Sequence, residues 1–159
     1  MSKADPPPDL LALAHDAARA HALWPELVCA VIEQESSWDH WAARYEPAFY
    51  ARYIEPQLAR RDAASHAADL TDTEARMRAF SWGLMQVMGQ AAREHGFAGN
   101  SLAELCDPAR GLDIGCRILA AKIAAAEGNV ARALLLWNGG ASPNYADAVL
   151  ARTHRYAAL

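Results

Sequence analysis

The apolar positions of this chain recur mainly at three- and four-residue intervals, and no stretch alternates strictly enough to predict a strand. The clearest run is VCAVIEQESSW, residues 28–38, in which Val28, Ile32 and Glu35 fall on one helical face. Pro25 suits the first turn of such a helix. The pattern therefore predicts a helix from Trp24-Pro25 to Glu35 whose apolar stripe ends in a carboxylate.

Similar patterns predict further helices along the chain, and together they give an all-α fold of about eight helices in one globular domain. We expect helices over Leu10 to about His21, from near Thr71 or Asp72, from Leu84 to His95, from Asp107-Pro108 to about Glu127, over Val130 to Trp137, and from near Pro143. Residues 1–8 are predicted to be a flexible leader and residues 9–159 the folded domain.

Residues 39–80 show a looser pattern and are predicted to form an inserted subdomain that can include a small hairpin. Four aromatic side chains lie there at helical spacing, namely Tyr45, Phe49, Tyr50 and Tyr53. We expect them chiefly to pack this subdomain, although one edge of the group could also provide a surface for a sugar.

Composition narrows the class of protein. The chain has 159 residues, of which 53% are hydrophobic and 21% charged, as is typical of a globular domain. A net charge of -4 without a basic block argues against a nucleic-acid partner. No stretch approaches the roughly 20 apolar residues of a membrane span, so we expect no stable membrane insertion.

The three cysteines, Cys29, Cys106 and Cys116, are not spaced like metal ligands. We expect them to be buried thiols, although the sequence leaves one bridged pair open. The six histidines form no zinc-type pair either. We therefore expect neither a metal nor a cofactor.

Glu35 is the residue on which the chemistry of the chain depends. A carboxyl group on an apolar face is costly to ionise, so its pKa should be raised. A raised pKa is what a general acid needs near neutral pH. The alternative is a solvated glutamate at a helix end, capped by Ser36 or Ser37, while Glu33 is expected to point elsewhere into solvent. This stretch alone does not decide between the two.

Three separated motifs add weight to the catalytic hypothesis. They are Glu35-Ser36-Ser37-Trp38, then SWGLMQVM over residues 81–88, then LWNGG over residues 136–140 followed by Tyr145. Each alone is weak, but their order, with a predicted helix between the last two, is specific. Together they resemble the soluble lytic transglycosylase domain of the lysozyme-like superfamily, over about Leu23 to Leu150.

The resemblance implies a lysozyme-like helical fold and cleavage of peptidoglycan glycan strands. We also expect the protein to be a monomer. The bond concerned is the β-1,4 linkage between N-acetylmuramic acid and N-acetylglucosamine. Residue by residue, it implies that Glu35 is the acid and base and that Ser36 or Ser37 forms hydrogen bonds nearby. It further implies sugar-groove or acid-contacting roles for Met85, Gln86, Asn138 and Tyr145.

Two departures from the family pattern matter. Trp137 stands where the family usually has tyrosine, so we expect a direct polar role at that position to be lost. The 39–80 segment is also far longer than the usual link between the first two motifs of the family. It contains Arg44-Tyr45-Glu46-Pro47, which is similar to a sequence found in phage-type muramidases. Glu46 is therefore a candidate second carboxylate, although an ion pair with Arg44 or Arg52 is the favoured interpretation.

The number of carboxylates determines the expected reaction. Glu35 alone would protonate the glycosidic oxygen and then deprotonate the muramic acid 6-hydroxyl, giving a 1,6-anhydro ring. Glu35 with Glu46 would instead make a hydrolytic muramidase. A non-catalytic glycan-binding module is the third hypothesis, but a pure binder needs no such acid.

The biological setting is an expectation drawn from the same sequence. The chain shows no signal peptide, so we expect it to be made in the cytoplasm. We expect it to act on the periplasmic cell wall after release, as a phage endolysin does.

Overall fold

The computed structural model describes residues 5–59 and 71–158. The parts of the predicted leader and subdomain at residues 1–4 and 60–70 lie outside this range. The helices are α1 Pro8–Ala20, α2 Pro25–Glu35, α3 Pro47–Phe49, α4 Glu55–Ala59, α5 Asp72–Arg78, α6 Gly89–Glu94, α7 Pro108–Ala125, α8 Val130–Trp137 and α9 Tyr145–Tyr156. A π-helical turn, Tyr50–Ile54, joins α3 to α4, and a 3₁₀ helix, Leu102–Cys106, precedes α7.

The predominantly helical fold expected from the sequence is confirmed, and several helices begin where the pattern predicts. Proline occupies the first turn of α2 and of α7, and the Asp107 side chain caps α7 by accepting from the backbone N–H of Arg110. At the N-terminus the predicted boundary is slightly wrong, because α1 begins at Pro8 and Pro6 is already buried.

A small antiparallel sheet lies beside the helices. Its strands are β1 Ala43–Tyr45, β2 Phe80–Trp82 and β3 Val87–Met88, in that order across the sheet. Ala43 pairs with Trp82, and Ser81 pairs with Met88. The β1–β2 pairing brings the two ends of the inserted segment together, and β3 extends the sheet beyond the segment.

The predicted helix from Leu84 to His95 is wrong in its first half. Gln86 has a left-handed backbone, with φ of 48°, and the chain reverses over residues 83–86 before entering β3. The Gln86 side-chain amide donates to the carbonyl oxygens of Ala42 and Gly83, both at 3.0 Å. These bonds stabilise the turn against the helical alternative that the apolar spacing suggested. The helix, α6, starts only at Gly89.

Helix α2 is the centre of the main core. Every side chain from Leu27 to Ile32 is at most 1% exposed, and α1 and α9 pack against it. The three cysteines are buried as free thiols. A smaller core cluster of Ile54, Ala75 and Ala79 lies within the inserted segment.

Gly111 lets the start of α7 approach the preceding 3₁₀ helix. A Cβ atom at Gly111 would lie 2.4 Å from the backbone carbonyl oxygen of Leu105, which cannot move aside as a flexible side chain could. We therefore expect Gly111→Ala to lower the free energy of unfolding by about 1–3 kcal/mol. Urea unfolding followed by circular dichroism measures this.

The control is Ala121→Gly at an exposed position of the same helix. There, the loss of helix propensity alone should cost about 1 kcal/mol. If Gly111→Ala instead stabilised the protein, as propensity alone would predict, the close approach would not constrain the fold.

Candidate active site

Three helix ends meet at one carboxylate. Glu35 is the last residue of α2, Trp137 the last of α8 and Tyr145 the first of α9. The Trp137 indole Nε1 donates to Glu35 Oε1 at 3.1 Å, and the Tyr145 hydroxyl donates to the same oxygen. Among the described residues, none donates to Oε2, so that oxygen is left for a ligand.

Glu35 opens into a groove of about 630 Å³, which is large enough for part of a polymer chain. The groove runs between the helices and the inserted segment. Its polar lining residues are Glu35, Arg44, Glu46, Tyr53, Gln57, Ser81, Gln86, Gln90, Glu94, Lys122 and Asn138.

The pKa of Glu35 is raised above that of an ordinary glutamate, as the sequence predicts. Burial is the largest cause, because it penalises the charged form. The donors Tyr145 and Trp137 and the positive charge of Arg44 oppose the shift without reversing it. Glu35 can therefore keep its proton to a higher pH, while the two donors remain ready to stabilise the anion.

Tyr145 is held in its neutral, donating form. Burial and the nearby Glu35 both raise the pKa of the Tyr145 hydroxyl. The hydroxyl consequently stays protonated and can only donate to the carboxylate. The predicted contact between Tyr145 and the acid is present in the structure.

The expectation that Trp137 loses a polar role is wrong. The indole N–H reaches Glu35 and supplies a hydrogen bond to it. The prediction rests on tryptophan being an apolar replacement for tyrosine. The signal that could have identified it is that indole, like phenol, carries a single N–H or O–H donor at its edge.

The two central residues of the GLMQ motif behave differently. Gln86 lines the groove, but its side chain is engaged by the turn and by Ser81, whose hydroxyl donates to Gln86 Oε1 at 3.1 Å. Met85 is only 1% exposed, and a Cβ at Gly115 would strike its sulfur atom. Met85 therefore packs against α7, and the prediction that it lines the sugar groove is wrong.

The two serines stabilise the end of α2 and do not contact the acid. Ser36 Oγ donates to the carbonyl oxygen of Leu84 at 2.8 Å and to that of Ile32 at 3.2 Å. Ser37 is exposed, and its hydroxyl bonds the backbone of Glu33 at 3.5 Å. In the part of the chain that the structure describes, neither serine lines the groove. Ser36 instead ties α2 to the turn before β3.

Asn138 lies in the groove, at the junction between α8 and α9. Its amide nitrogen donates to the carbonyl oxygen of Ser142 at 3.3 Å, which fastens the connecting loop. This loop sets where α9, and with it Tyr145, begins. Asn138 therefore lines the groove in which the sequence predicts a sugar-binding role for it, and that role stays a prediction.

Glu46 also lines the groove, and it is paired. Arg44 Nε donates to Glu46 Oε1 at 2.6 Å, so the ion pair that the sequence favoured is present. The charge of Arg44 also opposes, without reversing, the rise in the pKa of Glu35. Three glutamates thus line the groove, namely Glu35, Glu46 and Glu94, and Arg44 acts on the first two.

The four aromatics of the inserted segment divide between two roles. Tyr45 lies in β1, where the helical spacing of the group is interrupted, and packs with Tyr50 against the smaller core cluster. Phe49 and Tyr53 line the groove, with ring centroids 4.9 Å apart. Phe49 also packs against the cluster, so one edge of the group serves both the core and the groove.

The expectation that Glu33 is solvated is wrong. Its side chain is 6% exposed and interacts with three side chains of α9, namely Arg152, Arg155 and Tyr156. The Glu33 position gave no indication by itself. Arg152 and Arg155, three residues apart on α9, were the only indication in the sequence, because both can face one buried acid on a neighbouring helix.

The Transglycosylase SLT domain family model matches residues 12–154. The chain belongs to this family. No curated protein and no solved structure matches it. As an SLT domain it has a lysozyme-like, mainly helical fold, and family membership supports peptidoglycan lytic transglycosylase activity in general.

Two further findings concern the SLT domain as described. Within residues 5–59 and 71–158, no helix has the length and apolar character needed to cross a membrane. The same residues contain no group of three or more histidine, cysteine, aspartate or glutamate side chains that could hold a metal ion.

The contact between Tyr145 and Glu35 leads to a prediction about the acid. We expect Tyr145→Phe to raise the pKa of Glu35 further, because the lost O–H stabilises the carboxylate more than the neutral acid. A ¹³C NMR titration of the Glu35 side-chain carboxyl measures this pKa without any substrate. Tyr50→Phe, which removes a hydroxyl in the smaller core cluster, is the control and should leave it unchanged. An unchanged or lowered pKa in Tyr145→Phe would contradict the role assigned to the hydroxyl.

Proposed function

We propose that this SLT domain cleaves the β-1,4 bond between N-acetylmuramic acid and N-acetylglucosamine by lytic transglycosylation, with Glu35 as acid and then base. The observation that carries the proposal is the Glu35 carboxyl itself. It is partly buried, has a raised pKa, is held at Oε1 by two donors, and opens into a groove.

The reaction requires one carboxyl and no water. Protonated Glu35 gives its proton to the glycosidic oxygen as the bond from the muramic acid C1 to that oxygen breaks. The neighbouring N-acetyl group can share the positive charge that develops at C1. The Glu35 carboxylate then takes the proton of the C6 hydroxyl, whose oxygen bonds to C1. A 1,6-anhydro ring forms, and Glu35 is protonated again.

Trp137 and Tyr145 serve the carboxylate between the two proton transfers. Hydrogen bonds to a charged acceptor are stronger than bonds to a neutral one, so both donors favour the anion once the first proton has left. Because both bonds end on Oε1, they orient the carboxyl group and leave Oε2 to exchange protons with the sugar.

Hydrolysis by Glu35 together with Glu46 is the second candidate function, and it is supported by the presence of Glu46 in the same groove. In that reaction Glu46 would activate a water molecule or act as nucleophile, depending on the separation of the carboxyls. The ion pair with Arg44 favours transglycosylation, because Glu46 Oε1 already has a partner in the inserted segment, at 2.6 Å from Arg44 Nε.

The third hypothesis, a binding module without catalysis, is less well supported. Binding alone gives no reason to enclose an acid and to aim an indole N–H and a phenol O–H at one of its oxygens. Retention of purified sacculi without soluble products would favour that hypothesis.

The decisive experiment compares Glu35→Gln with Glu46→Gln, two isosteric changes in the same groove. We expect Glu35→Gln to release muropeptides from purified sacculi roughly a hundredfold or more slowly than the parent, from the usual contribution of acid–base catalysis. Glu46→Gln should retain most of the activity. Mass spectrometry of the parent's products should show anhydromuramic ends.

The same experiment distinguishes the alternatives. Products heavier by one water, together with a comparable loss in Glu46→Gln, would establish hydrolysis with two carboxylates. Parent-level activity in Glu35→Gln would remove Glu35 from the mechanism.

We further propose that the SLT domain acts as a monomeric endolysin on the periplasmic wall. The support is the Arg44-Tyr45-Glu46-Pro47 segment, which is similar to phage-type muramidase sequence. When the domain is produced in a Gram-negative host, lysis should follow permeabilisation of the inner membrane and should be absent from the Glu35→Gln culture. Absence of lysis from the parent after permeabilisation would contradict this setting.

A further inference from the structure

Helix α2 carries a second enclosed carboxylate, Glu33, that the mechanism above does not use. Glu33 and Glu35 are two residues apart, so their side chains leave the helix on nearly opposite sides. Glu33 Oε2 accepts a hydrogen bond from the Tyr156 hydroxyl and lies 3.3 Å from Arg155 Nη1. Glu33 Oε1 lies 3.7 Å from Arg152 Nε.

This cluster resembles the arrangement at Glu35. In each case a tyrosine hydroxyl from α9 donates to a glutamate of α2, and an indole N–H takes part. At Glu35 the indole of Trp137 donates to the carboxylate itself, whereas at Glu33 the indole of Trp38 donates to the Tyr156 oxygen at 3.1 Å. Tyr145 and Tyr156 are the first and last residues of α9, so both ends of this helix are attached to α2.

One arginine of α9 acts electrostatically on both clusters. Arg152 approaches Glu33, and its charge also acts on the Tyr145 hydroxyl, which bonds Glu35. Arg152 also donates to the backbone carbonyl oxygen of Ala148, which lies one helical turn nearer to Tyr145 on α9. Arg152 therefore lies between the Glu33 cluster and the tyrosine that reaches the acid.

Stability alone is a poor reason to bury such a cluster. Replacing a buried ion pair with well-packed apolar side chains is often neutral or stabilising, whereas removing one partner leaves an uncompensated charge. What the charges do provide is a fixed arrangement of α9 on α2. That arrangement matters at Tyr145, where a small shift of the hydroxyl would break its bond to Glu35.

We propose that Glu33 is a positioning residue for Glu35: by holding Tyr156, Arg155 and Arg152, it fixes α9 so that the Tyr145 hydroxyl stays on Glu35 Oε1. The proposal rests on the proposed function, in which Glu35 is the acid. It assigns Glu33 no contact with the substrate and no part in proton transfer.

The test is Glu33→Gln, which preserves the side-chain shape and removes the charge. We expect kcat on purified sacculi to fall roughly tenfold to a hundredfold, as misplacement of a catalytic contact typically causes. KM should stay near the parent value, because the groove is intact. The NMR pKa of Glu35 should rise in the same direction as in Tyr145→Phe.

A double-mutant cycle separates positioning from general damage. If Glu33 acts through Tyr145, then Glu33→Gln should change the Glu35 pKa in the parent but not in the Tyr145→Phe background. Equal effects in both backgrounds would overturn the proposal. Because this measurement needs no activity, it can fail or succeed independently of the proposed reaction.

The matched control is Glu74→Gln. Glu74 is a similarly enclosed glutamate, with a side chain 14% exposed, and it is paired with Arg78 and Arg93 away from the groove. We expect this variant to lose stability while kcat and the Glu35 pKa stay at parent values. A comparable fall of kcat in Glu74→Gln would show that the loss of any buried charge lowers kcat, and it would overturn the positioning role of Glu33.

Tyr156→Phe covers the case in which Glu33→Gln does not fold. It removes only the hydroxyl between Glu33 and Trp38, and the apolar packing of the ring remains. We expect a smaller fall of kcat and a rise of the Glu35 pKa. Parent values of both quantities in Tyr156→Phe would overturn the proposal.

Discussion

The structure depends on the balance between burial and hydrogen bonding at Glu35. Burial makes the carboxyl group retain its proton to a higher pH. The donors Tyr145 and Trp137 stabilise the carboxylate once the proton has left. Either influence alone would give a group suited to only one half of a proton-transfer cycle. A carboxyl group that is both buried and hydrogen-bonded requires the ends of α2, α8 and α9 to converge on one Glu35 oxygen atom.

Much of the remaining architecture can be understood as support for that convergence. Ser36 joins the end of α2 to the turn before β3, and Gln86 stabilises that turn from inside the groove wall. Asn138 fastens the loop that leads from α8 into α9. These polar side chains act on backbone groups, so their contribution is to geometry more than to chemistry. The motifs therefore include residues that shape the site as well as the one that reacts.

The sequence predicted those features that are set locally. The bounds of α2 and α8 follow from proline, asparagine and glycine positions and from apolar periodicity, and the raised pKa of Glu35 follows from where its stripe ends. The failures concern partners that are distant in sequence. The turn at Gln86 depends on the carbonyl of Ala42, and the burial of Glu33 depends on α9. The roles of Trp137 and Met85 likewise depend on which helix lies opposite each side chain.

The three buried cysteines have a consequence for how the fold responds to oxidation. Burial raises the pKa of Cys29 and of Cys116 to about 12 and also raises that of Cys106. The thiolate is the form that reacts with disulfides and oxidants, so these three side chains remain unreactive thiols at physiological pH. A change between reducing and oxidising surroundings should therefore leave the interior of the domain, and the helix that presents the acid, covalently unaltered.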